Sequence, residues 1–183
     1  MPMKKIIFVF GTIAGIIVSA LMLISMSLMN YGMMSFENGE LTGYASMIIA
    51  LSMIYFGVKS FRDDHLSGVI TFGKAFQVGI LIALIASVIY ATSWEAYLAS
   101  GSGSQGFMDQ YTTQYIERMK TEGASVAEIE EMKSEMSSMA EMYRNPVFRF
   151  GMTLVEILPV GLVITLLSAA ILRRHESSSN ISH

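Results

Sequence analysis

The sequence predicts an all-α integral membrane protein, a four-helix bundle with an extracytoplasmic helical hairpin between the third and fourth spans. Three observations predict it. Hydrophobic residues make up 52% of the 183 residues and charged residues only 15%, with a mean hydropathy of +0.50, so polar surface is too scarce to cover the apolar bulk of a water-soluble monomer. Four apolar runs of 18 to 23 residues stand between charges, each long enough as a helix to cross a hydrocarbon layer of roughly 30 Å. Between the last two runs lies an acidic stretch with helical periodicity.

The first run, 6–28, follows Lys4 and Lys5 and carries no charge. Val18-Ser19-Ala20 within it resembles the cleavage site of a secretory signal. The apolar run continues for eight residues beyond Ala20, which favours a retained helix; cleavage would leave three spans in the same orientation. The second run, 41–58, is short and stands between Glu40 and Lys59. The third, 75–97, opens after Lys74, and its uncharged part ends at Trp94 before Glu95. The fourth span, 147–174, holds an apolar run between Arg149 and the pair Arg173 and Arg174, interrupted by Glu156 and Pro159. Residues 1–99 therefore hold spans one to three, 100–146 the outer hairpin, and 175–183 a disordered cytoplasmic tail.

Basic residues set the orientation. Lys4 and Lys5 precede the first span, Lys59, Arg62 and Lys74 lie between the second and third, and Arg173 and Arg174 follow the fourth, whereas 29–40 has no Lys or Arg. The positive-inside rule places both termini and the middle loop in the cytoplasm. Tyr31, Phe36, Tyr44, Trp94, Tyr97 and Phe148 then form an outer aromatic belt, with Phe8, Tyr55, Phe56 and Phe72 towards the inner one.

Helices in lipid associate through close backbone approach, so small residues spaced by four mark their contact faces. Gly11, Gly15 and Ser19 make such a seam in the first span, Gly79, Ala83, Ser87 and Ala91 in the third, and Gly161, Thr165 and Ala169 in the fourth. These seams serve packing within the bundle or, in the other reading, homodimerisation. No two spans resemble inverted repeats of each other, which weakens a duplicated-transporter reading.

The hairpin begins with the glycine- and serine-rich 100–106, then Phe107, Tyr111, Tyr115 and Met119 recur along one helical face until Gly123. Ser125-Val-Ala-Glu128 opens a second helix as a capping box, in which serine and glutamate each satisfy an exposed amide. Val126, Ile129, Met132, Met136, Met139 and Tyr143 form its apolar stripe, and Asn145-Pro146 ends it. So small a pair cannot hold a core alone and must dock on the bundle, a second copy or a membrane-protein partner through 107–145. Seven glutamates from Glu117 to Glu141 lie on the other face, a solvated surface or a face for cations or partners. Thioethers ligate Cu(I), yet Met132, Met136 and Met139 fall where the helix needs its apolar stripe.

Composition and spacing exclude much chemistry. There are no cysteines, hence no disulfides, thiolate nucleophiles or zinc-thiolate sites, and the three histidines are unpaired in sequence. The net charge of -3 steers nothing by a global field, and the isolated basic residues predict no nucleic-acid partner. Gly68-Val-Ile-Thr-Phe-Gly73-Lys74 has the spacing of a phosphate loop but ends in Ala75, where that motif needs a hydroxyl. Asp63, Asp64 and His65 read as solvated loop, and the Asn180-Ile-Ser182 sequon falls on the cytoplasmic tail. No catalytic, metal or cofactor residue is expected. Glu156 is the exception that asks for a role, because it lies about 9 Å inside the outer edge of its span, where a charged carboxylate is costly. Tyr90, Trp94, Ser46 and Ser25 fall at a similar depth on the other spans. They could form with it a small polar cluster, either fixing helix rotation or handling a proton or cation.

Two stretches carry a family resemblance. Gly68-Val-Ile-Thr-Phe-Gly-Lys-Ala-Phe76 with Gly79, and the fourth span from Glu156 to Arg174, resemble the bacterial domain of unknown function 4199. That resemblance implies an uncharacterised four-span protein of the bacterial inner membrane, and no activity or substrate. The expected function is non-enzymatic, structural or accessory, with the lipid bilayer and a hairpin partner as its contacts. The alternative is a small transporter or ion-handling protein using Glu156.

Overall fold

The computed structural model describes residues 2–100 and 107–173. The glycine- and serine-rich stretch 101–106, Arg174 and the expected tail lie outside the described residues. Seven helices follow in order: α1 (Met3–Asn30), α2 (Phe36–Leu51), α3 (Met53–His65), α4 (Phe72–Ala99), α5 (Phe107–Thr121), α6 (Val126–Tyr143) and α7 (Pro146–Leu172). Among the described residues no strand forms. The chain divides into two compact units, one made of the chain up to Tyr90 and from Leu154 onward, the other Ala91–Thr153.

Four helical stretches are long and apolar enough to cross a membrane: Met3–Asn30, Asn38–His65, Phe72–Ala99 and Pro146–Leu172. Each reaches past the apolar run that marks it in the sequence. A charge ends an apolar run but not a helix, so α4 begins before Lys74 and continues beyond Glu95. The second stretch is divided at Ser52, which closes α2 and opens α3. There the Ser52 hydroxyl donates to the Ile49 carbonyl at 2.6 Å and Tyr55 N–H to the Ser52 carbonyl at 3.0 Å. Bonds three residues apart tighten the turn, and a serine that bonds back to its own helix bends it.

The first unit is held by small residues. Gly11 and Gly15 of α1 lie against Ile85 and Ile89 of α4, where an added methyl would stand 2.7 Å from either isoleucine Cβ. Gly79 of α4 faces Thr165 of α7 and Ile54 of α3, and Gly161 of α7 faces Ala83 of α4. Ser87 is fully buried and donates to the Ala83 carbonyl at 2.8 Å. The seams thus bring helices of the same chain together, and the core between them is aliphatic: Met47, Leu51, Ile54, Val58, Val78 and Ile82 are 0–1% exposed. At the opposite end, Arg62 of α3 donates to the Leu172 carbonyl at the end of α7, 3.5 Å away, a cation placed where a helix leaves carbonyls unpaired.

In the second unit α5 and α6 pack side by side. The turn between them closes as a Schellman motif, with Ala124 N–H on the Met119 carbonyl at 3.0 Å and Gly123 at φ +86°, a left-handed position that glycine occupies without strain. Ser125 and Glu128 form both bonds of the capping box. Asn145 caps α7, accepting from Val147 N–H at 2.9 Å, and Pro146 takes the first helical position, where its missing N–H costs nothing.

Candidate functional site

The densest polar arrangement in the second unit joins the end of α4, the end of α6 and the start of α7. Arg149 meets Glu95 with two parallel bonds, Nη2 to Oε2 at 2.5 Å and Nε to Oε1 at 3.0 Å. Its remaining nitrogen Nη1 donates to the Tyr143 carbonyl at 3.1 Å, and the guanidinium carbon stands 5.8 Å from the Tyr143 ring centre. Trp94 Nε1 donates to the Tyr143 hydroxyl at 2.8 Å, and its ring stacks on Tyr97 at 5.7 Å. With side chains only 17% and 22% exposed, the ion pair is two-pronged and largely sheltered, the kind whose geometry matters. Arg149 of α7 thus satisfies its donors on two other helices, and the clasp joins α4, α6 and α7.

This clasp differs from the sequence reading. Glu95 and Arg149 are expected there only as span boundaries, and Trp94 as a belt aromatic and a member of the polar cluster around Glu156. Trp94 is instead buried, at 7% exposure, because its indole N–H finds Tyr143. One signal was available: opposite charges at the corresponding ends of two apolar runs that antiparallel spans would bring to the same level.

The helical pair itself is shallow. Ile116 of α5, absent from the sequence-derived face, is its one buried side chain among the described residues, and α6 has none. Ile129, Met132, Met136, Met139 and Tyr143 are half-buried, while Val126 is 76% exposed although it heads the expected stripe. It stands at the first position of α6, next to the turn. The seven glutamates are all exposed. Two open clefts of about 460 and 590 Å³ lie between α5 and α6, one with Asp109, Lys133, Glu141 and Arg144 on its walls, the other with Glu122, Glu128, Glu131 and Glu135. At the capping box, the Ser125 backbone N–H and hydroxyl, which reach the Glu128 carboxylate at 2.7 and 2.8 Å, hold that carboxyl below the usual range.

The polar residues expected to share a depth have unlike surroundings. Ser25, Ser46 and Tyr90 are buried in the first unit. Glu156 is exposed on α7 and makes no hydrogen bond or ion pair with a described residue. Trp94 belongs to the clasp. No bond therefore ties Glu156 to its expected companions.

The remaining motifs resolve locally. Thr71 caps α4 through Lys74 N–H at 3.3 Å, and Lys74 Nζ donates to Gln77 at 3.0 Å, so the phosphate-loop spacing is a loop entering a helix. Asp63 pairs with Arg62 at 2.6 Å, Asp64 accepts from Ser60 at 2.8 Å, and His65 stacks on Phe61. Among the described residues no group of three or more His, Asp or Glu could hold a metal ion.

Fold and site together define a class: an all-α protein with four long helices apolar enough to span a membrane and a polar clasp where two of them meet a shorter helical pair. The chain belongs to the family described as Protein of unknown function (DUF4199), whose model matches residues 9–174. No curated protein and no solved structure matches it.

Proposed function

We propose that this chain is a non-enzymatic, multi-pass protein of the bacterial inner membrane, structural or accessory in role, which uses α5 and α6 as an interaction surface outside the membrane. Both termini lie in the cytoplasm. The run of positive charges at one end of the long helices supports that orientation, Lys4 and Lys5 on α1, Lys59 and Arg62 on α3 and Lys74 on α4. The observation that carries the interaction reading is the apolar face of α6, which α5 covers only in part. An amphipathic helix gains its stability from burying one face, and α6 buries no residue completely. A second copy or a membrane-protein partner completes that face.

Photo-crosslinking residues placed one at a time at Met132, Met136 and Glu130 test this in intact membranes. The two methionine positions are expected to give adducts of defined mass, and Glu130, on the exposed side, none. Equal capture at all three, or none at the methionines, overturns the interaction reading. The ion-handling alternative needs Glu156 turned towards Ser25, Ser46 and Tyr90, and its exposed position on α7 gives that reading no support.

A further inference from the structure

Glu156 stands in the middle of the exposed side of α7. Val155, Glu156, Pro159, Val163, Leu167 and Ala170 are exposed, and Ile157, Gly161, Thr165, Ser168, Ala169 and Leu172 are buried. At 3.6 residues per turn these two sets occupy opposite sides of the helix. Of the four long helices α7 is also the least covered, with 28% of its most apolar window buried against 39–50% for the others. Glu156 therefore lies on the side of α7 that its own bundle leaves exposed.

A second polar group lies beside it. Pro159 is inside α7 and has no N–H, so the carbonyl of Val155, four residues earlier, loses its helical partner. In hydrocarbon both groups are costly unless they are paired. Apolar runs 6–28, 41–58 and 75–94 contain no Lys or Arg, so a neighbouring span of this sequence has no cation to offer. What a second copy offers is another carboxyl and another freed carbonyl. Copies in one membrane share an orientation, so a two-fold axis along the membrane normal sets the two α7 helices parallel with their Glu156 residues at equal depth. Such an interface is self-complementary, presenting a donor and an acceptor from each copy to the other.

We infer that the exposed face of α7 is a homodimer interface, at which the uncharged Glu156 carboxyl of each copy donates to the other copy's carboxyl or Val155 carbonyl, with Val163 and Ala170 packed along the axis. This rests on the reading of α7 as a membrane span and is independent of the α5–α6 surface.

The chain lacks cysteine, so single substitutions in the full-length protein report the contact by disulfide formation in native membranes. Val163→Cys is expected to give a covalent dimer on oxidation, and Ile16→Cys, on the exposed side of α1, little. Adding Glu156→Leu to Val163→Cys is expected to lower the dimer yield roughly 7- to 300-fold, the range for two interhelical hydrogen bonds in lipid. Adding Glu156→Gln, which keeps a donor and an acceptor, should preserve it. A Val163→Cys yield no greater than that of Ile16→Cys, or equal yields with leucine and glutamine at 156, overturns the interface while the protein remains in the membrane fraction. Release of the protein by alkaline carbonate washing overturns the membrane reading, and with it any need to cover Glu156.

Discussion

Arg149 links three helices through one planar group, and its partners differ in what they would lose. Replacing Glu95 with alanine leaves a sheltered guanidinium with only a carbonyl and a ring, a loss of roughly 1–3 kcal/mol for an uncompensated charged hydrogen-bonding group. The substitution is expected to lower the unfolding midpoint in mild detergent. Arg149→Lys should recover little of the stability lost in Arg149→Ala, because an ammonium cannot reproduce the two parallel bonds. At the capping box the Glu128 carboxyl is held below its ordinary range, first by the Ser125 backbone N–H and then by its hydroxyl. A carboxyl lowered on folding contributes stability above its unfolded pKa, near 4.3 for glutamate, and loses it as pH falls through the folded value. Carbon-detected NMR titration should therefore give Glu128 a midpoint below that range, and Ser125→Ala should move it upward. An unchanged midpoint in Ser125→Ala would show that the hydroxyl contributes nothing.

The helices differ in how tightly their small residues are used. A Gly15→Ala methyl would sit 2.7 Å from Ile89 Cβ, whereas at Gly43 of α2 nothing lies within 4 Å. Cβ atoms near a main chain cannot swing aside, so Gly15→Ala is expected to cost roughly 1–3 kcal/mol through overpacking. Gly43→Ala should gain up to about 1 kcal/mol from helix propensity. Detergent unfolding of the two variants side by side measures the difference, and equal stabilities would mean that α1 and α4 do not pack through Gly15. The two ends of α6 show how much of an element is local: Ser125 and Glu128 are three residues apart and find each other in any α-helix, so that terminus is readable in the chain. Ile116 escaped the four-residue spacing through Tyr111, Tyr115 and Met119, because the side of α5 that is buried depends on where α6 lies. The division at Ser52 was hidden for a related reason. A serine within an apolar run bends a helix only if its hydroxyl turns back to a carbonyl, and composition does not record that choice.

Across the whole chain, the orientation proposed from basic residues makes a direct prediction for cysteine labelling. A membrane-impermeant maleimide added to intact cells should label Ser137→Cys on α6 at once, and Ser67→Cys between α3 and α4 only after permeabilisation. The reverse pattern would invert the topology. Four long apolar helices, an all-α architecture and membership of the family that matches 9–174 were legible in the amino-acid order, because hydropathy and residue spacing along one strand of chain are enough to express them. Helix rotation is different, since it depends on which neighbour each face meets. Only the tertiary structure turned Glu156 outward on α7, drew Trp94 inward to Tyr143, and joined Glu95 to Arg149 across 54 residues. Apolar length is a property of each helix taken alone, whereas pairing, burial and exposure of its few polar groups belong to the packing of several.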